Sequence, residues 1–258
     1  MFKKLQELNW EPPKHWSRIS TIDMHTGGEP LRILTDGYPL VQGETILEKR
    51  KYFRDHLDHI RKGVMWEPRG HADMYGAVLT EPCTKGADFG TFFLHNEGYS
   101  TMCGHAIIAL TKFVLDTGLI EKEGSHPQLI IDAPPGQIVS TANHENGVVS
   151  SVSFKNVPSF VLSPDQQIVV PGLGRIHYDV AFGGAFYAIV DAMQLNLSLD
   201  PSGISKLIEV GMQIKQSVMK EKIIAHPFEA DLSFLYGTIF TGRPETPSRH
   251  SRNVCIFA

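Results

Sequence analysis

The chain has 258 residues, 42% hydrophobic and 20% charged, an ordinary globular composition long enough for a large core and two domains. With 28 acidic against 24 basic side chains the net charge is −4, which argues against nucleic acid or an acidic membrane surface as a partner. Three cysteines make no secreted disulfide framework, no run of roughly 18 apolar residues offers a membrane span, and Met1 to Trp16 carries charge without an apolar signal core, so the expected location is the cytoplasm.

Ile19 to Thr35 reads as strand, turn, strand, broken at His25-Thr26-Gly27-Gly28-Glu29-Pro30, where paired glycines let the backbone come close to a ligand or another strand. A plain hairpin turn explains the same residues. Thr45 with Glu48 three positions on is a capping-box pattern, and Ile46, Phe53, Leu57 and Ile60 recur behind it at helical spacing. Residues 45–62 are therefore predicted as an amphipathic helix, with His56 and His59 solvated on its polar face. Met74 to Glu81 and Asp88 to His95 read as strands. Leu129–Asp132, Ile138–Thr141 and Val148–Phe154 continue the sheet after a helix that stops at Asp116-Thr117-Gly118.

That helix, Ala106 to Leu115, has apolar positions that suit full burial and follows Gly98-Tyr99-Ser100-Thr101-Met102-Cys103-Gly104-His105, so Cys103 sits where a loop turns into a buried helix. Unpartnered N–H groups and the helix dipole favour an anion there, and would lower the thiol pKa from about 8.5 toward neutrality, making a usable base or nucleophile. The plainer alternative is one more buried cysteine, the fate expected for Cys83 and Cys255.

The pattern then begins again. Pro164 and Pro171-Gly172 punctuate an expected crossover; strands follow through Tyr178–Phe182 and Ala185–Val190 around Gly183-Gly184. Asp200 and Pro201 open a helix carrying Ile204, Leu207, Ile208, Gly211, Ile214 and Val218, and strands at Leu232–Thr241 and Asn253–Phe257 close the chain. The order β, β, α, β, β thus occurs twice, with Gly183-Gly184 standing where Gly27-Gly28 stood. Residues 1–160 form an N-terminal half carrying the Met-Cys-Gly-His loop and its central helix; residues 161–258 form a partial C-terminal half. The second copy stops at Ala258, before any loop and helix that would answer Cys103, and Cys255 falls on a strand position near Phe92 or Phe93.

Asp23-Met24-His25-Thr26-Gly27-Gly28-Glu29-Pro30, Met102-Cys103-Gly104-His105 and Gly183-Gly184-Ala185-Phe186-Tyr187-Ala188 together resemble the proline racemase family, from about Trp16 to Ala258. The resemblance implies an α+β, diaminopimelate-epimerase-like fold: two pseudo-symmetric halves, each a curved sheet around a central helix, the second incomplete here. It also implies that Cys103 abstracts a proton as a thiolate, that the amides of Gly104 and His105 hold the substrate carboxylate, and that no metal or organic cofactor takes part. The partner implied is a small imino acid, with a homodimer allowed. Racemases and epimerases of the family usually continue the motif as Met-Cys-Gly-His-Gly-Thr; Ala106-Ile107-Ile108-Ala109-Leu110 is similar instead to the dehydratases. That branch implies removal of water from trans-3-hydroxy-L-proline to give 1-pyrroline-2-carboxylate.

Elimination needs one base, whereas inversion by this mechanism needs two acid/base groups, which favours the lyase for a chain with one visible thiol of this kind. A two-base proline racemase or hydroxyproline 2-epimerase is the first alternative, and a truncated, inactive isoform or binding protein the second. A zinc enzyme is a poor reading, because no His-Glu-x-x-His or paired Cys-x-x-Cys spacing occurs.

Overall fold

The computed structural model describes residues 11–257; the charged opening stretch up to residue 10 and the final Ala258 lie outside the described residues. Eight strands make the first sheet: β1 (Ser20–Thr26), β2 (Glu29–Asp36), β3 (Tyr75–Thr80), β4 (Phe89–His95), β5 (Tyr99–Ser100), β6 (Gln128–Ala133), β7 (Gly136–Glu145) and β8 (Val148–Lys155). Their order is β1-β2-β3-β4-β6-β7-β8, with β5 paired to β4. The sheet curls around α2 (Gly104–Asp116), whose Ala106, Ile107, Ala109, Leu110, Thr111, Phe113 and Val114 are all buried, as an apolar helix surface requires. Leu31, Ile33, Tyr75, Ala77, Phe93, Leu129, Ile131 and Ile138 face it from the strands.

On the outer side lies α1 (Ile46–Met65), whose buried Ile46, Phe53, Leu57, Ile60 and Val64 cover Val78, Phe92 and Leu94. The Phe53 and Phe92 rings are 5.4 Å apart. The continuous apolar run Phe92-Phe93-Leu94 is thereby explained: its side chains alternate between α1 and α2, and neither face meets water. The predicted capping box forms, with Glu48 N donating to Thr45 Oγ1 at 3.1 Å and Thr45 N to Glu48 Oε2 at 3.3 Å. Replacing Thr45 with alanine is expected to cost about 1 kcal/mol. For a chain of this size that is a drop of roughly 2–4 °C in Tm, read by circular dichroism.

The second sheet contains β9 (Phe160–Val170), β10 (Gly174–Phe182), β11 (Phe186–Asp191), β12 (Leu235–Gly242) and β13 (Arg252–Ile256), in the order β13-β12-β11-β10-β9. One face packs on α3 (Ile204–Glu221) through Leu207, Val210, Ile214 and Val218. The repeat predicted from the sequence is present down to pairing sense. β1-β2-α1-β3-β4 and β10-β11-α3-β12-β13 each have an antiparallel hairpin, a parallel crossover through the helix, and an antiparallel last strand.

Three local expectations are corrected. The crossover expected around Pro164 is strand β9; it is an edge strand, where a residue without an N–H can be tolerated, and Asp165 at φ 50° marks an irregularity there. Asp200 and Pro201 open only a single 3-10 turn before α3 begins at Ile204, because the Asp200 carboxylate is taken by Ser198 Oγ and Arg252 rather than by the helix amides. Cys255 is exposed, not buried: by alternation it lies with Tyr187, Ile189 and Ile239 on the face away from α3. Among the described residues no helix packs on that face. None of the described helices is long and apolar enough to cross a membrane.

Candidate active site

Cys103 is the N-cap of α2, in extended backbone conformation, with Ile107 N already bonded to its carbonyl oxygen at 3.1 Å. The hairpin leading into it is fastened to α1. Buried Arg61 donates to the carbonyls of His95 and Asn96 and to Asp58; Trp66 Nε1 donates to Asn96 O at 2.7 Å; Tyr99 OH donates to Asp58 Oδ1 at 2.9 Å. Partial burial pushes the Asp58 carboxyl up, and the hydrogen bonds from Arg61, Tyr99 and Lys62 outweigh it, leaving it down at about 2. Its contribution to stability is therefore complete above the ordinary value of 3.8 and is lost as pH falls through about 2. Urea midpoints measured from pH 5 downward should fall more steeply for the native chain than for Asp58→Asn.

Both glycine turns reach this loop. From the first, Thr26 Oγ1 donates to His105 O at 2.9 Å, next to Gly27 and Gly28 at φ +61° and +102°. From the second, the carbonyl of Gly184 accepts from Thr101 Oγ1, and an added Cβ at Gly184 would come within 2.6 Å of Met102 Cβ. Gly104 is itself pressed against β8: its Cβ would meet the Phe154 ring at 3.0 Å.

His105 Nε2 lies 3.3 Å from Pro30 O and Nδ1 lies 3.3 Å from Cys103 Sγ. A carbonyl can only accept, so Nε2 carries the hydrogen and Nδ1 is left to accept from the thiol. Burial lowers the imidazole pKa, against the pull of Glu29 and Pro30. The expectation of a thiol poised near neutrality is corrected. Burial drives Cys103 up to about 12, outweighing the amides of Ala106 and His105 and the Tyr75 hydroxyl, each of which favours the thiolate. The helix N-terminus acts in the expected direction; the loss of water around a buried sulfur, only 6% exposed, is larger.

Four residues that spacing did not single out complete the surroundings. The buried Tyr75 and Tyr236 hydroxyls are 3.0 Å apart. The Tyr75 ring meets His105 edge-on at 5.0 Å and stacks with His95 at 5.9 Å, while Tyr236 stacks on Phe257 at 5.3 Å. His95 is held neutral, its pKa lowered to about 4 by burial and then by Arg61 and Lys215. Tyr75 could have been found from strand alternation, which puts it with Ala77 and Leu31 on the α2 side. Tyr236 could not, because the β11–β12 register slips between Phe186 and Tyr187 and spoils the alternation there.

Two clefts, of about 910 and 610 Å³, lie elsewhere and are lined by neither Cys103 nor His105. Among the described residues no three His, Cys, Asp or Glu side chains are grouped to hold a metal, and His56 and His59 are exposed on α1.

Residues 21–258 match the family model described as proline racemase. The chain is 49% identical over 252 residues to a trans-3-hydroxy-L-proline dehydratase of Colwellia psychrerythraea, covering 96% of this chain and 71% of that protein. It is 45% identical over 239 residues to one of Bacillus thuringiensis, covering 93% and 71%. Among solved structures, a hydroxyproline epimerase from Agrobacterium vitis with bound trans-4-hydroxy-L-proline superposes with a TM-score of 0.86 at 26% identity, covering 93% of this chain and 70% of that one.

Proposed function

Because the chain belongs to the proline racemase family, we propose that it is a hydro-lyase that removes water from trans-3-hydroxy-L-proline, with Cys103 as the base. The observation that carries this reading is the Cys103–His105 pair at the N-terminus of α2, 3.3 Å between Sγ and Nδ1. His105 Nδ1 takes the thiol proton as the thiolate forms, and the sulfur then accepts the hydrogen from Cα of the bound imino acid. The electron pair of the Cα–H bond becomes the ring double bond as the C3–O bond breaks. The leaving hydroxide takes the proton that His105 received from the thiol and departs as water, and the enamine tautomerises to 1-pyrroline-2-carboxylate.

Negative charge that develops beside the substrate carboxylate needs fixed N–H donors, and the first turn of α2 offers them at Gly104 and His105. The same dipole that favours the thiolate favours the carboxylate, so both anions gain from the one helix end. In this reading residues 1–160 supply the base and residues 161–258 the facing wall with Tyr236 and Phe257. A second reading, two-base epimerisation of a proline, has in its favour the structural likeness to the Agrobacterium vitis epimerase.

Incubation with trans-3-hydroxy-L-proline and, separately, L-proline distinguishes the two. Aldehyde trapping of a ketimine from the hydroxylated substrate is the expected result. D-proline on chiral chromatography would transfer the assignment to the racemase, and neither product would overturn both.

A further inference from the structure

We propose that α3 is the contact between two copies of this chain, its outer surface packed antiparallel on that of a second copy about a two-fold axis. The helix carries two apolar faces. Leu207, Val210, Ile214 and Val218 are buried against the second sheet. Ile204, Ile208, Met212 and Met219 form the other: at about 3.6 residues per turn they share an arc of roughly 80°, separate from the buried one. Ile204 is 47% exposed, Ile208 42% and Met219 52%, and Ile223, just past the helix end, is 95% exposed.

Folding does not account for this stripe. α1 holds the same place in the first copy of the repeat, and none of its exposed positions is a large apolar residue; Lys51, Arg54, Asp55, His56, His59 and Lys62 stand there instead. A charged outer surface therefore serves a helix in this position, and an exposed apolar stripe with a polar rim marks an interaction surface.

The charges beside the stripe say what covers it. Glu209 and Lys220 are exposed and flank it on one side, the acid toward the N-terminal end of α3 and the base toward the C-terminal end. A two-fold axis across the pair maps that side onto itself while reversing the helix direction. When Ile208 lies opposite Met219 of the second copy, Glu209 stands about 3 Å along the axis from Lys220 of that copy, within reach of a long side chain. Symmetry makes the pair twice. Glu209 also meets Lys206 of its own helix at 3.0 Å, through one carboxylate oxygen only. In the same register Met212 faces Lys215, whose ammonium is turned to the Phe257 carbonyl at 2.6 Å, so its aliphatic stem is what the second copy meets.

The test is sedimentation velocity of the 258-residue chain over about 1–200 μM, the range in which a small interface is part-formed. A reversible dimer is the expected result. Ile208→Glu should leave a monomer at every concentration with the circular dichroism spectrum unchanged. Glu209→Lys and Lys220→Glu should each weaken association about tenfold, less so at high salt, because each turns two attractions into two repulsions. The double variant Glu209→Lys/Lys220→Glu should recover the native affinity.

A native chain that stays monomeric throughout, a dimer that survives Ile208→Glu, or a double variant no tighter than the single ones overturns the proposal.

Discussion

Cys103→Ser is expected to lower ketimine formation from trans-3-hydroxy-L-proline by about a thousandfold or more while leaving the fold intact. General-base catalysis is typically worth 10²–10⁴ in rate, and a serine hydroxyl is far harder to ionise than a thiol, all the more where burial already holds the sulfur at about 12. Folding should move the other way. Cys103 makes no side-chain capping hydrogen bond, and serine is among the residues preferred at that position, so the variant should melt at the same temperature or slightly above. Rate and Tm taken together separate a lost base from a lost fold. Product formation within tenfold of the native chain would remove Cys103 from the mechanism.

The second large effect is expected at Gly184. Its φ of +99° is unfavourable for any residue with a Cβ, and the added carbon would sit 2.6 Å from Met102 Cβ. Backbone strain of about 1–3 kcal/mol and overpacking of a similar size should together make Gly184→Ala cost roughly 3–5 kcal/mol in urea unfolding. Gly172 is the control: its φ is +78° but nothing lies within 4 Å, so Gly172→Ala should show the strain alone. Activity should fall with the first substitution and hold with the second, since only Gly184 presses on the residue next to the base.

What could be read from the sequence was whatever local chemistry determines. Thr45 and Glu48 cap α1 because the two side chains and the two amides involved lie within one turn. The apolar positions of α2 required burial, and the curled sheet provides it, leaving Lys112 and Asp116 to pair near the surface. Gly27-Gly28 and Gly183-Gly184 were legible as turns, though not as two supports converging on one loop, because that meeting joins segments some 80 residues apart.

The misreadings have the same origin. Pro164 argues against a central strand, and nothing local tells that β9 is an edge. The helix end alone argues for a lowered thiol pKa, whereas the larger cost comes from burial, which neighbouring residues in the sequence do not reveal. Sequence alone marks His105 mainly as an amide donor; the contact with Pro30 is what fixes the tautomer of its ring.

The seat of Gly184 on Met102 and the Thr101 hydrogen bond to the same glycine mean that the two sheets cannot part without pulling on the residues just ahead of α2. Any displacement of one sheet against the other is thus transmitted straight to the loop that carries Cys103.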